Sequence, residues 1–98
     1  MNKEIQIQYN NAVNEVKRYC KKIAKLPKGS ISIKTRGKNA YLYLTYRERD
    51  KIISEYVGNI ESDKAIEILT QIRERKKYEK LLKFNENIKN NIEKYIKE

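Results

Sequence analysis

A segment of 32 residues between Val16 and Arg47 carries ten Lys and Arg residues and no Asp or Glu. The rest of the chain holds thirteen basic and thirteen acidic residues, so the formal charge of +10 comes from this one segment. Cations concentrated in this way attract a polyanion, and Lys and Arg bind phosphate groups. The chemistry that the segment predicts is therefore contact with nucleic-acid phosphates. Its cations are Lys17, Arg18, Lys21, Lys22, Lys25, Lys28, Lys34, Arg36, Lys38 and Arg47.

The residue inventory argues against an enzyme. The chain has no His, which removes the usual general base near neutral pH, and it has no Gly-rich phosphate loop. One Cys without His cannot form a structural zinc site, and we expect no metal and no cofactor. The lone Cys20 fits a reducing cytoplasm. No apolar run approaches the length of a membrane span, so we expect a cytoplasmic protein without membrane contact.

The first element that must position the cations is a basic amphipathic helix predicted over residues 1–27 of a single domain. Apolar residues recur at heptad spacing from Ile5 to Leu26, and Pro27 and Gly29 end the pattern. Cations on the opposite side of such a helix can follow a phosphate backbone, and Lys28 follows in the loop. The helix cations are Lys17, Arg18, Lys21, Lys22 and Lys25.

The second element is a β-meander predicted over residues 30–58, where the apolar period changes from helical to alternating. Turn residues at 36–39 and 48–50 separate three strands. In the second strand Leu42 and Leu44 point to one face, and Tyr41 and Tyr43 to the other. The cations of this segment join the tyrosine side or the turns. They are Lys34, Arg36, Lys38, Arg47 and Arg49.

The sequence leaves two interpretations of the tyrosine side open. In one, the rings are exposed and can stack on unpaired bases or enter a groove. In the other, each face of the sheet is covered by a helix and the tyrosines are core residues. The third strand favours the second interpretation, because Ile52, Ile53, Tyr56 and Val57 are apolar on both faces.

The third element is a long helix predicted over residues 62–97, with Ser62 or Asn59 as its N-cap. Its apolar stripe changes side near Lys76. Either the helix bends there, or its two halves pack on different elements, the second half on the N-terminal helix or on another subunit. The fold class expected is α+β, in the order α-β-β-β-α with an antiparallel meander. We expect a homodimer formed through the long helices.

The middle of the chain resembles a module in small proteins of bacterial mobile elements and phages. The similarity rests on Gly29–Ile31, Gly37-Lys38, the run Tyr41–Arg47, Lys51 and Tyr56–Gly58. Members of the module usually have a glycine in the second turn, which is Glu48-Arg49-Asp50 here. The strands are also similar to those near the N-terminus of some insertion-sequence transposases. The resemblance implies a role in DNA mobility or phage biology and implies no catalytic residue.

These observations predict a non-enzymatic nucleic-acid-binding protein of a mobile element or phage, with DNA favoured over RNA as partner. The alternative is a small inhibitor of a host defence system, similar to anti-CRISPR proteins, that binds a host protein or ribonucleoprotein. The predicted nucleic-acid interface consists of Lys17, Arg18, Lys21, Lys22, Lys25, Lys28, Lys34, Arg36, Lys38, Tyr41, Tyr43, Arg47 and Arg49.

Overall fold

The structure, a computed structural model, describes residues 2–97 and confirms the predicted α+β fold in the order α-β-β-β-α. Along the chain, one helix precedes and one follows an antiparallel sheet of three strands in the order β1-β2-β3. The elements are α1 (Lys3–Ala24), β1 (Ser30–Arg36), β2 (Asn39–Glu48), β3 (Lys51–Asn59) and α2 (Asp63–Lys97).

The first helix begins and ends close to the predicted positions. Asn2 is its N-cap, because the Asn2 side chain accepts a hydrogen bond of 2.8 Å from the Glu4 amide. The helix ends at Ala24, with Lys25 as the C-cap, so it is slightly shorter than the predicted residues 1–27. Pro27 lies in the loop that follows, where it cannot continue the helix.

The register of the sheet decides which residues share a face. Leu42 pairs with Ile33 and Leu44 with Ile31, as the alternation predicted. A β-bulge interrupts the pairing of β2 with β3, since Tyr43 pairs with Tyr56 whereas Leu42 pairs with Gly58. Val57 is therefore the extra residue.

Residues group into two compact units, and α2 contributes to both. The sheet unit is Leu26–Arg75, and the helical unit combines the segment that ends at Lys25 with the segment that begins at Lys76. The helix α2 continues without a break past Lys76. The division falls where the apolar stripe changes side, so the two halves of α2 pack on different elements.

The core of the sheet unit joins one face of the sheet to the first half of α2. Leu42 is 0% exposed, and Leu44, Ala65 and Ile72 are also buried. We call the sheet face that carries Leu42 and Leu44 the leucine face. Ser62 is confirmed as the N-cap of α2, because its hydroxyl accepts a 3.2 Å hydrogen bond from the Ala65 amide.

The helical unit pairs α1 with the second half of α2. The rings of Tyr19 and Tyr78 have centroids 5.7 Å apart, and the Tyr9 hydroxyl donates a 2.8 Å hydrogen bond to Glu93. That hydrogen bond raises the pKa of Tyr9. The N-terminal helix is therefore the partner of the second half of α2. Neither helix, over the residues described, is apolar enough along its length to cross a membrane.

Candidate nucleic-acid interface

The face of the sheet opposite the leucine face carries aromatic rings and cations. Because side chains alternate along a strand and paired residues share a face, the register assigns its members directly. We call it the tyrosine face. Its members include Ser32, Lys34, Arg36, Tyr41, Tyr43, Thr45, Arg47, Ile52, Ser54 and Tyr56.

Three tyrosine rings are grouped on this face. Tyr43 and Tyr56 are cross-strand partners, with ring centroids 5.4 Å apart in an edge-to-face arrangement at 66°. Tyr41 lies 6.2 Å from Tyr56 at an interplanar angle of 47°. These distances are in the range where aromatic pairs attract each other, so each ring restricts the position of its neighbours.

The charged residues of the sheet are sorted between its two faces. Lys34, Arg36 and Arg47 lie on the tyrosine face, and the Lys34 ammonium sits 4.4 Å from the centroid of the Tyr43 ring. By the same register Glu48 and Glu55 belong to the leucine face. Among the strand residues that the structure describes, no Asp or Glu lies on the tyrosine face.

The pKa of Tyr46 is consistent with the placement of Glu48 and Glu55 on the leucine face. Tyr46 is on the leucine face, two residues beyond Leu44, and it is partly buried. The negative charge of Glu55, together with burial and the charge of Glu48, raises the pKa of Tyr46. The carboxylates therefore act on the leucine face of the sheet.

The tyrosine face is exposed, and the interpretation in which helices cover both faces is wrong. Ile52 is 68% exposed and Tyr56 is 55% exposed. Tyr41 and Tyr43 are partly exposed, and all the buried strand residues belong to the leucine face. The apolar residues of β3 suggested a covered sheet, but two of them, Ile52 and Tyr56, face solvent.

The remaining predicted cations of the sheet unit lie in loops and turns. Lys28 is exposed in the loop before β1, and Lys38 is exposed beside Gly37, whose positive φ of 61° makes the tight turn to β2. Arg49 has a φ of 56° in the second turn. There it lines a shallow depression with Glu48, Asp50, Lys51 and Ile53, so acidic neighbours offset its charge.

In the helical unit, all five predicted cations of the first helix are exposed. We call them the α1 cations. Lys17, Lys21 and Lys25 follow one another at intervals of four residues and so lie along one side of α1. The other two are Arg18 and Lys22.

Arg18 and Lys22 are engaged within the protein, which the sequence did not predict. Arg18 forms a 2.6 Å ion pair with Glu15 and lies 4.9 Å from the centroid of the Tyr19 ring. The hydrogen bond from Arg18 holds the pKa of Glu15 below its usual range. Lys22 donates a 3.4 Å hydrogen bond to the Tyr78 hydroxyl. These two cations are less available to a ligand than Lys17, Lys21 and Lys25.

Comparison with protein families assigns most of this chain to a known family. A family described as Domain of unknown function (DUF6788) matches residues 9–67, which is more than half of the sequence. The chain belongs to this family. No curated protein and no solved structure matches it.

The DUF6788 domain contains both candidate surfaces. It extends from Tyr9 in α1 through the whole sheet to Glu67 in α2, so the α1 cations and the tyrosine face lie inside it. The family description gives no activity, and the resemblance to mobile-element and transposase proteins stays a prediction.

Sequence reasoning did not include Tyr56 or Ile52 among the site residues, although both are exposed on the tyrosine face. The face of Tyr56 depends on the length of the second turn, which the sequence predicts over residues 48–50. In the structure the turn consists of Arg49 and Asp50 alone, so Glu48 pairs with Lys51 and the same register puts Tyr56 opposite Tyr43.

Proposed function

We propose that this DUF6788 protein is a non-enzymatic, cytoplasmic nucleic-acid-binding protein of a mobile element or phage. The observation that carries the proposal is the sorting of charge on the sheet. Lys34, Arg36 and Arg47 share the exposed tyrosine face, whereas Glu48 and Glu55 belong to the opposite face. A face with only positive charge attracts a polyanion, and an acidic residue there would repel phosphates.

The α1 cations support the same function through a second surface. Lys17, Lys21 and Lys25 are exposed along one side of α1, a spacing at which cations can contact successive phosphates. Contacts of this kind are independent of base sequence. Binding is therefore strong at low salt and falls steeply as salt is added.

A homodimer remains part of the proposal. Phe84 is 62% exposed and Tyr95 is 65% exposed on the second half of α2. Exposed aromatic side chains are typical of protein interfaces, since they bury a large apolar area at small cost in side-chain entropy. A second copy of the chain would bring a second set of cations to one nucleic acid.

The test is fluorescence anisotropy with labelled duplex DNA, single-stranded DNA and duplex RNA. With about five phosphate contacts, affinity for duplex DNA is expected to fall roughly 10³-fold between about 50 and 200 mM salt. A matched control variant, Lys80→Gln with Lys94→Gln, removes two exposed α2 cations outside the acid-free segment and is expected to bind as the wild type does.

Weak binding to all three nucleic acids at low salt would overturn the proposal. The alternative function, inhibition of a host defence system through a protein or ribonucleoprotein target, would then be tested by pull-down from host extract. A control variant that loses as much affinity as a variant in the acid-free segment would also count against the proposal, because charge alone would then explain the binding.

A further inference from the structure

The most exposed ring on the tyrosine face is that of Tyr56. Lys34 covers one side of the Tyr43 ring at 4.4 Å, and Tyr41 and Tyr43 are both partly buried. Tyr56 is 55% exposed and lies on β3, an edge strand. Its contacts with Tyr41 and Tyr43 hold it from one side, so the ring is positioned in advance for a flat ligand.

Cations lie on both sides of the tyrosine rings along the strands. Lys34 pairs with Tyr41 at the end of the sheet near the β1–β2 turn, and Arg36 is two residues further along. In the other direction Arg47 is four residues beyond Tyr43, which is about 13 Å at roughly 3.3 Å per residue. A strand of nucleic acid that crosses the rings would meet positive charge before and after them.

Beside Arg47 the surface is apolar. Ile52 is its cross-strand partner and is 68% exposed. An exposed isoleucine gains nothing from a phosphate, but it can pack against a sugar or the face of a base. The tyrosine face therefore offers both of the contacts that an unpaired nucleotide makes, a stacking surface and a nearby cation.

We propose that the tyrosine face binds single-stranded nucleic acid, with an unpaired base stacked on Tyr56. Lys34, Arg36 and Arg47 contact the phosphates on either side of that base. The inference rests on the proposed function and adds the substrate class. A duplex cannot use the ring, because its bases are already stacked and paired, so the tyrosine face prefers an unpaired strand.

The test compares the wild type with Tyr56→Ala on labelled single-stranded DNA, single-stranded RNA and duplex DNA of equal length. Removal of the ring is expected to weaken single-strand binding about 5- to 150-fold, the range for loss of one stacked base, and to leave duplex binding unchanged. The DNA and RNA strands distinguish which sugar the site accepts.

Two further variants separate stacking from folding. Tyr56→Phe keeps the ring and is expected to retain wild-type affinity for single strands. Ile66→Ala removes a similarly exposed apolar side chain from the first half of α2 and is expected to have no effect. In a single strand that carries 2-aminopurine, stacking on the ring should quench the fluorescence with the wild type and Tyr56→Phe, and much less with Tyr56→Ala. Circular dichroism of each variant reports whether the sheet is retained.

The outcomes distinguish this inference from the proposed function. Equal loss of duplex and single-strand binding in a folded Tyr56→Ala variant, or no loss of either, overturns the stacking inference and leaves phosphate binding intact. Absence of binding to every nucleic acid by the wild type overturns both. A wild type that binds an acidic protein and no nucleic acid would assign the tyrosine face to a protein partner.

Discussion

The α1 cations and the tyrosine face differ in what surrounds their charges. The α1 cations are more numerous, but Arg18 is paired with Glu15 and Lys22 with Tyr78. The cations of the tyrosine face are fewer, but they share that face with the exposed ring of Tyr56, and no carboxylate lies on it among the strand residues described. The number of cations on a surface therefore does not by itself predict how strongly that surface binds a nucleic acid.

The two surfaces should therefore contribute differently to binding. Exposed cations on a helix give contacts that depend on salt and are indifferent to base and strand. The aromatic rings of the sheet add stacking on the base itself. Stacking depends less on salt, because it involves no counterion release. Affinity for any nucleic acid is expected from α1, and preference for an unpaired strand from the sheet.

The largest expected effect comes from reversing charge on the tyrosine face. The double variant Lys34→Glu, Arg47→Glu should lose about 100-fold in affinity for single-stranded DNA, since a charge-assisted contact contributes roughly 1.5 kcal/mol. Both side chains are exposed, so the fold should be retained. Anisotropy titrations measure the loss. An effect smaller than that of the equivalent α1 variant would reverse the ranking of the two surfaces.

A smaller and less selective effect is expected from α1. The double variant Lys17→Glu, Lys21→Glu should weaken binding to duplex and single strand alike by about tenfold. The slope of log affinity against log salt on duplex DNA should fall by about two, since each lost phosphate contact removes roughly 0.9. Titrations at four salt concentrations measure both quantities. A loss confined to one type of strand would contradict a purely phosphate role for α1.

The smallest expected change in affinity comes from removing the ion pair between Arg18 and Glu15. Glu15→Gln removes a negative charge beside the α1 cations and frees Arg18, so affinity should rise by about twofold, in line with the small energy of an exposed pair. The matched control Glu86→Gln removes an exposed carboxylate from α2 and should leave affinity unchanged in the same titration. An equal rise in both variants would show that net charge, rather than release of Arg18, is responsible.

The same pair predicts a direction for acid stability. The folded pKa of Glu15 is lowered, so its contribution to stability is present above the unfolded glutamate pKa of about 4.3 and is lost as pH falls through the lower folded value. Thermal melts at neutral and acid pH should show a slightly smaller acid loss for Glu15→Gln than for the wild type. An equal loss in both would show that the pair contributes nothing to folding.

Local patterns in the sequence were enough to predict the elements of this fold. The heptad stripe of α1, the alternation around Leu42 and the N-cap Ser62 all act within a few residues, and the structure confirms each. The change of side in the apolar stripe also located the division of α2 near Lys76.

The missed parts of the candidate site depend on contacts between distant residues. Lys22 contacts Tyr78, which is far away in sequence, so the engagement of this cation could not be read from α1 alone. Ile52 and Tyr56 resembled core residues because strand propensity and burial favour the same residue types. Their exposure could not be predicted, because no local pattern reports whether a second layer covers that face.

The β-bulge at Val57 also determines where this sheet can tolerate a change of length. Deletion of Val57 would leave Tyr43 opposite Tyr56 and Leu42 opposite Gly58, so every side chain would keep its face. Deletion of Ser54 would instead move the preceding residues of β3 by one position and turn Ile52 toward the opposite side. Among natural or engineered sequences of different length, the chains that keep the three tyrosine rings on one face are expected to gain or lose residues at the bulge.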